Sequence, residues 1–68
     1  IDQSVKFSPR ELEVLQLMAN GESTTSAANI LHLSEYTVRD YITSILQKMN
    51  AKNRTEAVAR AIREGIIH

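Results

Sequence analysis

Sixty-eight residues, 43% hydrophobic and 24% charged, are enough for one small globular domain with a modest core, and their eight basic and eight acidic side chains cancel. With no cysteine, and with His32 and His68 as the only imidazoles, a disulfide framework, a thiolate nucleophile and a convincing metal site are excluded, and no metal or cofactor is expected. No apolar run reaches the ~18–20 residues of a membrane span and no charged-then-apolar leader opens the chain, so a cytoplasmic location is expected.

Residues 1–6 read as the remnant of an upstream linker, and residues 7–68 as the domain. The start at Ile1 rather than Met fits a fragment of a longer protein or a processed terminus. Ser8-Pro9-Arg10-Glu11 is a helix start: Ser8 caps, Pro9 takes the first turn, and Glu11 completes a capping box. Phe7 and Leu12 stand at the positions of a hydrophobic staple. Leu12, Leu15 and Ala19, flanked by Val14 and Met18, set a core stripe, and Gly21 stops the helix, which is expected over about 9–20.

A shorter helix is expected from Thr24 to Leu31, capped by Ser23, with Ala27, Ile30 and Leu31 inward. The hydroxyl run Thr24–Ser26 lowers its intrinsic propensity, so tertiary packing must hold it. Ser34 then caps the longest helix, running to about Met49, with Leu33 and Val38 as a second staple. Val38, Ile42, Ile45 and Met49 form its core stripe. Advancing 100° per residue puts Tyr36, Asp40, Thr43 and Gln47 opposite, with Arg39 and Ser44 beside them. Asn50 is a left-handed terminator. A fourth helix follows Asn53, with Glu56 completing an Asn-x-x-Glu start. It ends near Gly65 and turns Ala57, Val58, Ala61 and Ile62 inward. No segment alternates with period two over strand length, so the expected class is all-α, a compact four-helix domain.

Charge is unevenly spread. Residues 1–22 carry Lys6 and Arg10 against Asp2, Glu11, Glu13 and Glu22. Residues 34–54 carry Arg39, Lys48, Lys52 and Arg54 against only Glu35 and Asp40. Local potential rather than net charge draws a polyanion, so the second stretch matters more than the neutral sum.

The second and third helices are joined by His32-Leu33-Ser34 alone, and the third carries an outward polar face, which makes a helix-turn-helix. Such a motif wants apolar side chains where its helices touch, and Ala27, Leu31, Leu33, Val38 and Tyr41 occupy those places. A small residue is needed at the close approach, supplied by Ala28. The turn position that often holds glycine holds His32.

Ser8-Pro9-Arg10-Glu11-Leu12-Glu13-Val14-Leu15, then Gly21, Leu33-Ser34-Glu35-Tyr36-Thr37-Val38-Arg39, Lys48-Met49 and Arg54-x-x-Ala57 resemble, in order and spacing, the LuxR/FixJ-type DNA-binding domain over residues 7–65. The resemblance implies the C-terminal output domain of a bacterial transcription regulator that binds double-stranded DNA. Its third helix would enter the major groove, and its fourth would help pair protomers into a homodimer through Thr55, Ala59 and Arg63. Carried over by position, base-reading side chains fall on Arg39, Asp40 and Thr43. Phosphate contacts fall on Thr24, Thr25, Ser34, Thr37, Tyr41, Lys48 and Arg54. Glu11 matches a structural glutamate that ties the first helix to the others. RNA polymerase is a further partner in prospect, and no membrane partner is expected.

Elementary physics supports part of this. Ser34 and Thr37 lie in a first helical turn, where free N–H groups and the helix dipole favour a phosphate. Arg39 has the donors for a bidentate pair with guanine, and alternatively forms a solvated pair with Glu35. Asp40 either accepts from a cytosine amine or is repelled by phosphate and rejects poor sites. Where the family has Asn-Lys-Glu-Ile-Ala, this chain has Thr24-Thr25-Ser26-Ala27-Ala28, which loses a cation and core volume, and Tyr41 replaces a frequent histidine. Those departures, with the neutral net charge, motivate a second reading: a degenerate domain used as a protein-interaction or heterodimerising module. No nucleophile, base and orienting group assemble, so catalysis is not expected. The isolated chain is expected to be monomeric or weakly dimeric, with Ala59, Ile66 and Ile67 as its exposed apolar area.

Overall fold

The computed structural model describes residues 6–68, and each of its four helices starts on a side-chain oxygen that receives an amide from its own first turn. The helices are α1 (Pro9–Ala19), α2 (Thr24–Leu31), α3 (Glu35–Met49) and α4 (Arg54–Arg63). Ser8 Oγ accepts from Glu11 N–H at 3.1 Å, Ser23 Oγ from Ser26 at 3.0 Å, Ser34 Oγ from Thr37 at 3.0 Å, and Asn53 Oδ1 from Glu56 at 2.8 Å. Such caps satisfy orphan amides and are worth about 1 kcal/mol each.

The helices also share one way of stopping. The residue after the last turn adopts a left-handed conformation at Gly21, His32, Asn50 and Gly65. The next amide then reaches back five residues: Glu22 to the Leu17 carbonyl at 3.0 Å, Leu33 to Ala28 at 2.9 Å, Ala51 to Leu46 at 3.0 Å and Ile66 to Ala61 at 2.8 Å. At His32, with φ 59°, this closure sets the angle between α2 and α3 and strains a side-chain-bearing residue. The expected glycine position of the turn is therefore a real left-handed position here.

α3 packs against all three other helices. Val14, Leu15, Val38 and Ile45 are fully buried at the centre, with Met18, Ala27, Ala28, Ile42, Met49, Ala57, Ala61 and Ile67 around them. Ala27 and Ala28 let α2 approach α3 closely, as the helix-turn-helix pattern requires.

Four details of the expected core change. In α1 the buried stripe is Glu11, Val14, Leu15 and Met18, whereas Leu12 and Ala19 are half-buried; a buried glutamate shifts the phase of the helix by about a residue. In α2, Ala28 goes inward and Ile30 is 49% exposed, because the two alanines define the close face. In α4, Ile62 is 49% exposed, about a third of a turn beyond the stripe of Ala57 and Ala61. Ile67, expected on the surface, is buried: left-handed Gly65 folds the chain back, and His68 N–H and C=O pair with the Gln16 amide at 3.1 and 3.2 Å.

Glu11 fixes the pose of α3. Its carboxylate is 4% exposed and accepts from Ser8 N–H at 2.8 Å, Lys48 Nζ at 2.6 Å and Ser44 Oγ at 2.6 Å. Ser44 and Lys48 lie one turn apart on α3, so one side chain pins the start of α1 to the flank of α3. Burial pushes this carboxyl up, but the bonds from Lys48, Ser44 and Ser8 together outweigh it and hold Glu11 at about 2, below the usual 4.5.

Two outcomes are expected. His32→Gly relieves left-handed strain of about 1–2 kcal/mol and returns part of it to unfolded-chain entropy, so the urea midpoint should rise by the equivalent of about 0.5–1 kcal/mol. An unchanged midpoint would mean that the imidazole adopts this conformation without strain. Glu11 has its folded pKa below its unfolded one, so its contribution is complete above pH 4.5 and is lost as pH falls toward 2. Glu11→Gln should therefore cost about 2 kcal/mol at neutral pH and show a shallower loss in acid, read by urea unfolding from about pH 6 to pH 2.5. Parallel acid profiles for the two proteins would contradict the role given to this carboxylate.

Candidate nucleic-acid interface

A helix held on one side by its neighbours and on a flank by Glu11 has one face left. On α3 that face carries Tyr36, Arg39, Asp40, Thr43 and Gln47, all exposed, while Val38, Ile42, Ile45 and Met49 point into the core. Tyr36 is the most open of the large hydrophobic side chains among the described residues, at 72% exposed. No other described element covers the stripe, and its residues recur at the three- and four-residue steps that align side chains on a helix.

The stripe is nearly neutral. Arg39 Nη2 lies 3.5 Å from Glu35 Oε1, with side chains 64% and 44% exposed. The sequence-level alternative for Arg39 is thus present, but a solvated pair of this kind is worth only about 0.3–0.5 kcal/mol and leaves the guanidinium available. Asp40 enters no ion pair among the described residues.

Two further polar groups stand at helix starts. At the start of α3, Ser34 Oγ donates to Thr37 Oγ1 at 2.9 Å while capping the Thr37 amide; the preceding amides of Glu35 and Tyr36 have no helical acceptor. At the start of α2, Thr24 Oγ1 accepts from Arg54 Nη1 at 3.3 Å, which brings the first residue of α4 against the first residue of α2. Thr25 is exposed on the same turn. Helix N-termini with hydroxyls and a guanidinium beside them suit an anion.

The remaining expected contacts differ in setting. Tyr41 is half-buried, its side chain packed against the core with Leu31 and Leu33. Lys48 is already occupied: besides Glu11, its ammonium donates to the Lys6 carbonyl at 3.2 Å and sits 5.7 Å from the Phe7 ring centroid. Sequence reasoning counted Lys48 only as a surface cation and missed this. Tyr36 and Gln47, placed outward by the helical wheel but not counted among the site residues, belong to the exposed stripe.

Thr55, Ala59 and Arg63 are exposed along α4, and Ile62 joins them. A shallow groove runs between this surface and the end of α1, where Met18 and Gly21 face Val58 and Ala59. No helix among the described residues is long and apolar enough to cross a membrane.

Comparison with known proteins bears on the family and the fold. Residues 5–61 match the family model described as GerE: bacterial regulatory proteins, luxR family. The chain is 52% identical over 61 residues to YxjL, an uncharacterized transcriptional regulatory protein of Bacillus subtilis (strain 168), covering 90% of this chain and 28% of that one. It is 48% identical over 56 residues to the transcriptional regulatory protein DegU of Brevibacillus brevis, covering 82% of this chain and 24% of that one. The chain thus spans about a quarter of the length of these relatives. Among solved structures, the transcription factor GerE superposes with a TM-score of 0.87 at 32% identity, covering 97% of both chains. The response regulator ChrA of a heme-sensing two-component system superposes with a TM-score of 0.85 at 34% identity, over 98% of this chain and 32% of that one. The chain belongs to the luxR family of bacterial regulatory proteins, as a DNA-binding helix-turn-helix domain of transcription regulators.

Proposed function

We propose that the domain recognises a specific double-stranded DNA site by laying the exposed stripe of α3 in the major groove, as the output domain of a bacterial, cytoplasmic regulator. The observation that carries this is the uncovered face of Tyr36, Arg39, Asp40, Thr43 and Gln47 on a helix locked in place along its other sides. In such a dock the first turns of the recognition helix meet base edges. Arg39, Asp40 and Thr43 read bases. Ser34, Thr37, Thr24, Thr25, Arg54 and the hydroxyl of Tyr41 hold phosphates, and Lys48 adds least because its charge is already paired. The exposed side of α4, with Thr55, Ala59 and Arg63, pairs two protomers, so half-sites lie about one helical turn apart.

The near-neutral stripe favours a second reading, in which the domain serves as a protein-interaction module and binds DNA weakly. Retention on a mixed duplex library separates the two. DNA binding through phosphates must fall steeply with salt, whereas a protein-interaction module is not retained even at low salt.

Arg39→Ala is expected to relax base preference at one position of the selected site, at a cost of about 1–3 kcal/mol there. Arg54→Ala should weaken all sequences alike and lower the salt slope by nearly one unit. Titrations on matched and mismatched duplexes at two salt concentrations check both; uniform loss from both changes contradicts the division of roles.

A further inference from the structure

The last carbonyls of α3 are closed from two directions. Leu46 C=O takes the Ala51 amide at 3.0 Å, and Gln47 C=O takes the Asn50 amide at 3.2 Å. The Met49 carbonyl, at the end of the helix, instead accepts from the Arg60 guanidinium of α4. A cation there also meets the negative end of the helix dipole. Glu56, one turn before Arg60, has Oε2 3.6 Å from Arg60 Nη2, and its Oε1 accepts the Lys52 amide at 2.5 Å. One pair of α4 side chains thus grips the connection over residues 50–53: the acid takes an amide from within it, and the base donates to the carbonyl just before it.

Steps of four residues give α4 three adjacent rows. Ala57 and Ala61 are fully buried, whereas Thr55, Ala59 and Arg63 are exposed. Glu56 and Arg60 form the row between them, with side chains 37% and 30% exposed. The two buried methyl groups offer α3 little relief to lock into, so packing alone leaves the angle of α4 loosely set. Arg60 makes the one side-chain hydrogen bond between α3 and α4 among the described residues. Resting on the reading that α3 enters the groove and α4 pairs two protomers, we infer that Arg60 is a positioning residue. It holds the angle between the reading helix and the pairing helix, and with it the half-site spacing that a dimer accepts. One added base pair moves two half-sites apart by about 3.4 Å and turns one against the other by about 34°. A rigid angle rejects that change and a loosened one absorbs it, because both half-sites must be engaged together.

A site selected from a random duplex pool, rebuilt as a single half-site and as inverted repeats whose spacers differ by one base pair, tests this. The wild type should fill the best repeat with roughly tenfold cooperativity over the half-site and lose most of it when the spacer changes by one base pair. Arg60→Ala should bind the single half-site as the wild type does, yet bind repeats of neighbouring spacing within roughly twofold of one another. Arg60→Lys keeps a donor for the Met49 carbonyl and should restore part of the spacing preference. Where circular dichroism shows that Arg60→Ala has lost helix, Arg60→Gln, which keeps more of the side-chain length, takes its place. If the variant weakens the half-site and every repeat by the same factor, Arg60 only supports the fold and the inference is overturned. An unchanged spacing preference overturns it as well. A wild type that fills repeats no better than independent half-sites removes the pairing through α4, and one that binds no duplex at low salt removes the groove-binding reading; the inference falls with either.

Discussion

The carboxylate of Glu11 decides where α3 stands. Its two oxygens take a backbone amide from the start of α1 and an ammonium and a hydroxyl from successive turns of α3. A core of valines, leucines and alanines is slippery: apolar contacts reward area rather than angle, and helices held by them alone can rotate at little cost. Charge-assisted hydrogen bonds are directional and short, and a buried carboxylate that loses one pays a desolvation penalty. One acid thus converts loose helical packing into a defined orientation, on the flank next to the exposed stripe of α3.

The helix ends were the most legible part of the sequence. Ser8, Ser23, Ser34 and Asn53 announce the starts, and Gly21, Asn50 and Gly65 the stops, because each carries a local geometry that its own side chain or lack of one supplies. Which residues lie inside was harder to read. In α1 the stripe includes a glutamate, and a hydrophobic count cannot recognise an acid as core; the expected stripe of Leu12, Leu15 and Ala19 holds at Leu15 and at its flanks Val14 and Met18, and is off by about a residue at its two ends. In α2 and α4, alanines rather than isoleucines mark the inner face, since close approach of two helices values smallness above area. The outward face of α3 is readable from spacing, because its opposite stripe is long and uninterrupted, except at Ser44, which the helical wheel places beside Arg39 and which turns instead to the Glu11 carboxylate. What sequence could not tell was that Lys48, a cation in a basic stretch, is committed thirty-seven residues away.

The charge distribution takes on a different sense once placed in space. The cations that sequence groups between residues 34 and 54 do not form one patch: Lys48 is tied to α1, Arg39 stands on the exposed stripe beside Glu35, and Arg54 touches α2. Arg54 thus stands at the start of α2, Lys52 is exposed just before α4, and the stripe itself carries both signs. A surface of mixed sign gains little from indiscriminate contact with a polyanion, so what it binds must be matched group by group.

The pairing of Gln16 with His68 has a consequence of its own. A side-chain amide here stands in for a neighbouring strand, giving and taking one hydrogen bond with the last residue of the chain. Most of the fold is stitched from near neighbours along the backbone and can assemble quickly, but this seam joins points fifty-two residues apart. Closing it costs more chain entropy than any local turn, and it ties the turn after α4 to the first helix beside the buried side chain of Ile67.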